Sequence, residues 1–236
     1  MPLSYHSKPS LDNAFARVTR AEEHLARLEA EIDSALKRSI VIGSGITGLL
    51  TATGYNLPKI VPILIGEVVY KLRAALDYLI FQLVYLDGGK VKNGTKFPIE
   101  DNADGWQFYF LSPKSAGGSK RRRRKLWLPI LTPGHQAAIK ALQPFDGCRW
   151  TYVLRSISNP DKHRNLIVTD AQVAARITTN ASVEDFAIPP MPDSTVYVEG
   201  HVPAIVAFKD RSPVIETLKE LQKEVASVLT SFNRDF

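Results

Sequence analysis

The sequence predicts an α+β protein built as a helical bundle with a small antiparallel sheet at one side. Three observations carry this. Helical apolar periodicity recurs near both termini and in the centre of the chain, two β-like runs lie close together between residues 165 and 208, and elements cluster by type without the strand-helix alternation of a parallel sheet. The 236 residues, 44% hydrophobic and 23% charged, have the size and balance of one globular domain, expected to span 1–236.

The first helix is read at 10–36, where Phe15, Val18, Leu25, Leu28, Ile32 and Leu36 keep to one face. Residues 38–55 are rich in Ile, Val, Thr and Gly without helical periodicity, which reads as a hairpin or a strand with a tight turn. Pro58 and Pro62 precede a second long helix, 63–86, apolar almost all round and therefore expected in the middle of the core. Asp87, Gly88 and Gly89 stop it, and residues 90–119 read as an irregular connection. The span 90–130, with a basic run near its end, is the expected flexible stretch.

Thr132-Pro133 opens a short helix that the Gln143-Pro144 step ends. Trp150, Val153, Leu154 and Ile157 then mark a further helix expected to stop at Asn159-Pro160, with Asn159 forced extended by the proline that follows. β-like runs follow at 165–179 and 195–208, separated by the proline-rich 188–193. Ser212 and Pro213 form an N-cap and first-position pair for the last helix, whose core face is Val214, Leu218, Leu221, Val225, Val228 and Phe232.

The formal net charge of +6 is local. Lys120, Arg121, Arg122, Arg123, Arg124 and Lys125 supply all of it, and the rest of the chain is balanced. Cys148, the single cysteine, permits no intramolecular disulfide and no thiolate cluster, which points to a reducing compartment. The first fifteen residues lack the apolar core of a secretory signal, so a cytoplasmic location is expected. The apolar stretch 60–86 contains Glu67, Lys71, Arg73 and Asp77, too many charges for a membrane span.

Gly43, Gly45 and Gly48 match the spacing of a dinucleotide-binding turn, with Glu67 where a ribose partner would fall. Against it, Pro62 would lie inside the next strand, and a long apolar helix replaces the further strand-helix units that fold needs. A glycine-rich hairpin is the preferred reading, and no cofactor is expected. The histidines show no metal-ligand spacing, so no metal is expected either.

Two constellations remain. Arg73 and Asp77, at i and i+4 of the central helix, share one face; they read either as a functional pair or as a brace for the bundle. The string Ser158 to Arg164 (SNPDKHR) places His163 between Lys162 and Arg164. Such flanking charges favour a neutral imidazole suited to a general base, while the same polar knot could equally tie a helix to a strand.

Four ordered blocks, IGEVVYKLRAALDYL, FPIED, IKALQPF and WTYVLRSISNPDKHR, resemble a family of uncharacterised bacterial proteins with recurring IGE…LRxALDYL, FPIE, IxxLQP and SNPDKHR segments. The resemblance covers about 57–164 and implies no activity. A weaker one is to the helical-bundle HEPN superfamily, whose metal-independent ribonucleases carry an Arg-x4-6-His motif. Arg73 fits, but the residue after x4 is Tyr78, so that chemistry would require His163 from another helix.

The leading expectation is therefore a bundle protein that binds or cleaves RNA. His163, Arg73 and Asp77 would be catalytic, and Asn159, Lys162, Arg164, Arg121, Arg122, Arg123 and Arg124 would bind the RNA. Its rival is a non-catalytic interaction protein in which the same residues brace the bundle; the partners expected are RNA and, separately, further copies of the chain in a homo-oligomer. The sequence leaves open whether the chain is an enzyme.

Overall fold

The computed structural model describes residues 8–37, 57–91, 94–107, 109–110, 128–162, 168–173, 204–208 and 210–236. Among them are six α-helices: α1 (Asp12–Lys37), α2 (Ile60–Leu86), α3 (Ala103–Gln107), α4 (Pro133–Ala141), α5 (Arg149–Lys162) and α6 (Val214–Phe232). The three long helices pack together, α1 along α2 and α6 against both, while α5 leans on α2 and α6.

Packing follows from the spacing of apolar residues. Leu11, Ala14, Val18, Ala21, Leu25, Leu28 and Ile32 recur in steps of three and four and are all buried, a seam suited to lying along a second helix. Two of the seven are alanines, which let α1 approach α2 closely. Each large apolar side chain so buried contributes roughly 1.5–3 kcal/mol.

Helix α2 buries thirteen residues, among them Leu64, Val68, Leu72, Leu76, Leu79 and Leu83. It begins three residues before the expected Ile63, because Pro62 falls in the first turn, where a backbone N–H has no intrahelical partner to lose. At its other end Gly88 takes φ +77 and the Gly89 amide bonds back to the Val84 carbonyl at 2.8 Å, so a residue without Cβ closes the helix. Glu67 lies within α2, and a dinucleotide turn would need it at the end of a strand.

The outward stripe of α2 is unusual for a helix in water. Ile63, Tyr70, Phe81 and Tyr85 are 55%, 62%, 44% and 43% exposed. On α1 and α6 the corresponding outward positions include Arg20, Glu22, Glu23, Lys219, Glu220 and Lys223.

Two expectations are corrected. Helix α5 runs through Asn159 and Pro160 to Lys162, so Asn159 is helical and not extended. A proline so near a helix end removes one hydrogen bond without interrupting a long ladder. Helix α6 is capped by Pro213 in an extended conformation with no side-chain cap. Ser212 is engaged elsewhere: its hydroxyl and amide both bond to Asp210 Oδ1, at 2.6 and 3.0 Å, and this holds the Asp210 carboxyl below the usual range. The α6 core face is buried as expected, with Leu229 added.

The described residues are mostly helical. β structure among them is one two-stranded antiparallel ladder, β1 (Val168–Val173) with β2 (Ala204–Phe208), in the register Ala171 to Val206 and Val173 to Ala204 with an irregularity after Val168. Two strands do not make a layer for helices to pack on, so the architecture is a helical bundle and the α+β expectation narrows to that. The stretch expected to be irregular, 90–119, contains α3 and sends Phe97, Trp106 and Tyr109 into the core.

Candidate functional site

The expected pair on α2 does converge, on a backbone segment. Arg73 Nη2 donates to the Phe97 carbonyl at 2.6 Å, and the Phe97 amide donates to Asp77 Oδ1 at 2.8 Å. Both groups of one residue are thus held by side chains one helical turn apart. The Phe97 ring is fully buried in the core, so its peptide enters a place with little water, where an unpaired backbone group is costly.

The next peptides are held by Gln143, just beyond α4. Its side chain is fully buried. Its Oε1 accepts the Glu100 amide at 3.0 Å, and its Nε2 donates to the carbonyls of Pro98 at 3.1 Å and Ile139 at 2.9 Å. Residues 97–100 therefore form a strap fixed by three side chains from two parts of the bundle.

Charged and aromatic groups surround this strap. Tyr109 Oη donates to Glu100 Oε1 at 2.9 Å, and Arg155 of α5 pairs with Asp101. Trp106 packs against Tyr109 and Phe145 with ring centroids 6.1 and 6.2 Å apart. Burial pushes the Tyr109 phenol well above its ordinary pKa, and the Glu100 charge and hydrogen bond push it further. Burial lowers the Arg73 guanidinium, Asp77 and Tyr109 oppose that, and Arg155 adds to it. Gly105 lies close against this carboxylate: a Cβ there would stand 2.6 Å from Glu100 Oε2, and the glutamate would have to shift.

A second polar cluster ties the end of α2 to α4. Asp87 Oδ2 accepts the Thr132 amide at 2.7 Å and lies 2.8 Å from His135 Nδ1, with the Asp87 and His135 side chains 5% and 15% exposed. His135 Nε2 faces Asp235 at 3.4 Å. Both ring nitrogens thus meet carboxylates, so the imidazole bridges three segments. No group of three or more His, Cys, Asp or Glu able to hold a metal ion occurs among the described residues.

Of the residues expected to form a site, Arg73 and Asp77 are half-buried on α2 and bonded to Phe97. Asn159 and Lys162 lie in the last turn of α5. His163, Arg164 and Arg121, Arg122, Arg123 and Arg124 lie outside the described residues, as do Gly43, Gly45 and Gly48. The sequence reading missed Gln143, Glu100, Tyr109 and Arg155 as one network, and the Asp87–His135 bridge. The segments FPIED and IKALQPF and the helix of Arg73 meet at the strap, but the bonds that join them run to backbone groups and leave no local mark in the sequence.

No helix among the described residues is long and apolar enough to cross a membrane. Comparison of the chain with protein-family models, with curated proteins and with solved structures finds no match.

Proposed function

We propose that this chain is a non-catalytic interaction protein in which Arg73 and Asp77 brace the bundle. The observation that carries this reading is the double hold on Phe97, whose carbonyl and amide engage Arg73 and Asp77 respectively. Both side chains thus act on the two polar groups of one buried residue, the arrangement expected of a brace. Breaking a charge-assisted bond of this kind costs about 1.5–3 kcal/mol. The aromatic outward stripe of α2 is the surface that suits the interaction role.

A second reading, RNA binding through the basic run, is favoured by the concentration of the whole +6 net charge at residues 120–125. It does not require Arg73 or Asp77. One experiment tests both: the full chain is incubated with labelled single-stranded RNA beside His163→Ala and a variant with Arg121, Arg122, Arg123 and Arg124 changed to Ala. The interaction reading expects no cleavage by any of the three. Cleavage by the parent that His163→Ala abolishes would overturn it in favour of a ribonuclease. Salt-sensitive RNA binding lost with the four arginines would establish the second reading.

A further inference from the structure

We propose that the outward stripe of α2 is the interface of a symmetric dimer, in which two copies of this chain cross antiparallel about Ala74. This rests on the interaction-protein reading and names its partner.

The stripe consists of Ile63, Glu67, Tyr70, Ala74, Tyr78, Phe81 and Tyr85, spaced four, three, four, four, three and four residues apart. At 3.6 residues per turn these positions fall within about 90° of helix circumference; among the described residues Ile63, Tyr70, Phe81 and Tyr85 stand exposed, Glu67 and Ala74 are half-buried, and Tyr78 packs against the core with Arg17 of α1 over its ring at 4.1 Å. Glu67 is the one charged residue among the seven. A helix face built for water carries charges throughout, as those of α1 and α6 do.

The occupant is inferred from the symmetry of the stripe. In a two-fold interface, residue i meets residue j and j meets i. With Ala74 on the axis, Tyr70 meets Tyr78, Ile63 meets Tyr85, and Glu67 meets Phe81. The smallest side chain of the stripe thus falls at its midpoint, where two crossing helices come closest. Glu67 lands beside Phe81 of the other copy, between the phenols of Tyr78 and Tyr85, each able to donate to its carboxylate. The two Glu67 side chains are separated by about 14 residues of helix rise, roughly 20 Å, beyond the Debye length of about 8–10 Å, so the copies do not repel through them. Lys71 lies over the Tyr70 ring at 5.5 Å, at the edge of the stripe and away from the axis.

The area sets the strength. Exposed aromatic and aliphatic side chains of this size leave on the order of 400 Å² per copy, and the flanking residues bring the two-sided total to about 1,000 Å². That is the low end of specific interfaces. The expected dimer is therefore reversible, with a dissociation constant on the order of micromolar.

The test uses the full chain. Sedimentation velocity from about 1 to 200 μM is expected to move from monomer to dimer mass. Phe81→Glu, at a position exposed in the monomer, is expected to raise the dissociation constant at least tenfold while leaving helical content and thermal unfolding unchanged. The register is tested by oxidation in a Cys148→Ser background. Ala74→Cys should form a disulfide with its own mate, because it lies on the axis. Ile63→Cys should not cross-link alone but should do so when combined with Tyr85→Cys. A chain that stays monomeric over this range overturns the dimer, as does a dimer that Phe81→Glu leaves intact or one in which Ile63→Cys cross-links as readily as Ala74→Cys. The interaction-protein reading fails separately, on His163-dependent RNA cleavage.

Discussion

Gln143 holds the Glu100 amide at 3.0 Å across 43 residues of chain, and the same carboxamide donates to the carbonyl of Pro98. Gln143→Leu keeps the volume and removes all three side-chain bonds; the Ile139 carbonyl keeps the Leu142 amide, while the Glu100 amide and the Pro98 carbonyl lose the carboxamide that holds them. At about 1–3 kcal/mol for each unsatisfied group, the variant should lose about 2–6 kcal/mol in urea unfolding. Gln143→Glu keeps the acceptor but sets a buried carboxylate oxygen against the Pro98 and Ile139 carbonyls, so at neutral pH it should lose at least as much. Parent-like stability in Gln143→Leu would show that the strap does not depend on this side chain.

Arg73 and Asp77 act on one peptide, so their effects should not add. Arg73→Met and Asp77→Ala should each cost about 1.5–3 kcal/mol. The double variant should lose less than the two together, with a coupling of about 0.5–3 kcal/mol in a double-mutant cycle. Asp77→Asn retains an acceptor for the Phe97 amide but leaves the lowered Arg73 charge without its carboxylate. It should therefore be milder in an Arg73→Met background than alone. Simple additivity would mean that the two side chains act independently.

Tyr109 gives the fold an alkaline limit. Burial and Glu100 raise its phenol above the ordinary value of 10.0, so the folded chain keeps a proton that the unfolded chain releases. The stabilisation is complete below about pH 10 and is lost as pH rises further, by up to about 1.4 kcal/mol per pH unit. Unfolding free energies from pH 8 to 11.5 should fall more steeply for the parent than for Tyr109→Phe. Parallel curves would show that the phenol titrates alike in both states.

The two carboxylates flanking His135 should differ sharply in worth. Asp87, 5% exposed and bonded to both the Thr132 amide and the imidazole, should cost about 1–3 kcal/mol as Asp87→Ala. Asp235, 44% exposed and 3.4 Å from the ring, should cost less than about 1 kcal/mol as Asp235→Ala. Thermal unfolding of the two variants side by side decides this, and equal losses would contradict the assignment of Asp87 as the principal tie.

The long helices were legible because their determinants are local and repeat every three or four residues. The face of α6 from Val214 to Phe232 could be read position by position. Ala14 and Ala21 belong to the α1 seam, but their small side chains do not stand out from the alanines that a helix carries on any face. The course of α5 through Pro160 was misjudged, because a proline rule states a preference that helix-end geometry can override. Arg73 and Asp77 were identified as a linked pair from their spacing, yet their partner, the peptide of Phe97, lies 20 and more residues away and is a backbone group. A backbone partner leaves no mark in the identity of a residue. For the same reason Gln143 read as a helix stop and not as the buried carboxamide that secures the strap.

The strap places two backbone protons in an uncommon situation. The Phe97 and Glu100 amides donate to side chains, Asp77 on α2 and Gln143 beyond α4, and neither belongs to a helical ladder. Each can exchange with deuterated solvent once its side-chain acceptor lets go, without any helix unwinding. The two amides therefore act as separate clocks: Phe97 times the release of the strap from the central helix, and Glu100 times its release from the end of α4. If the bundle opens from one side first, these neighbouring protons will exchange at different rates in the unmodified protein.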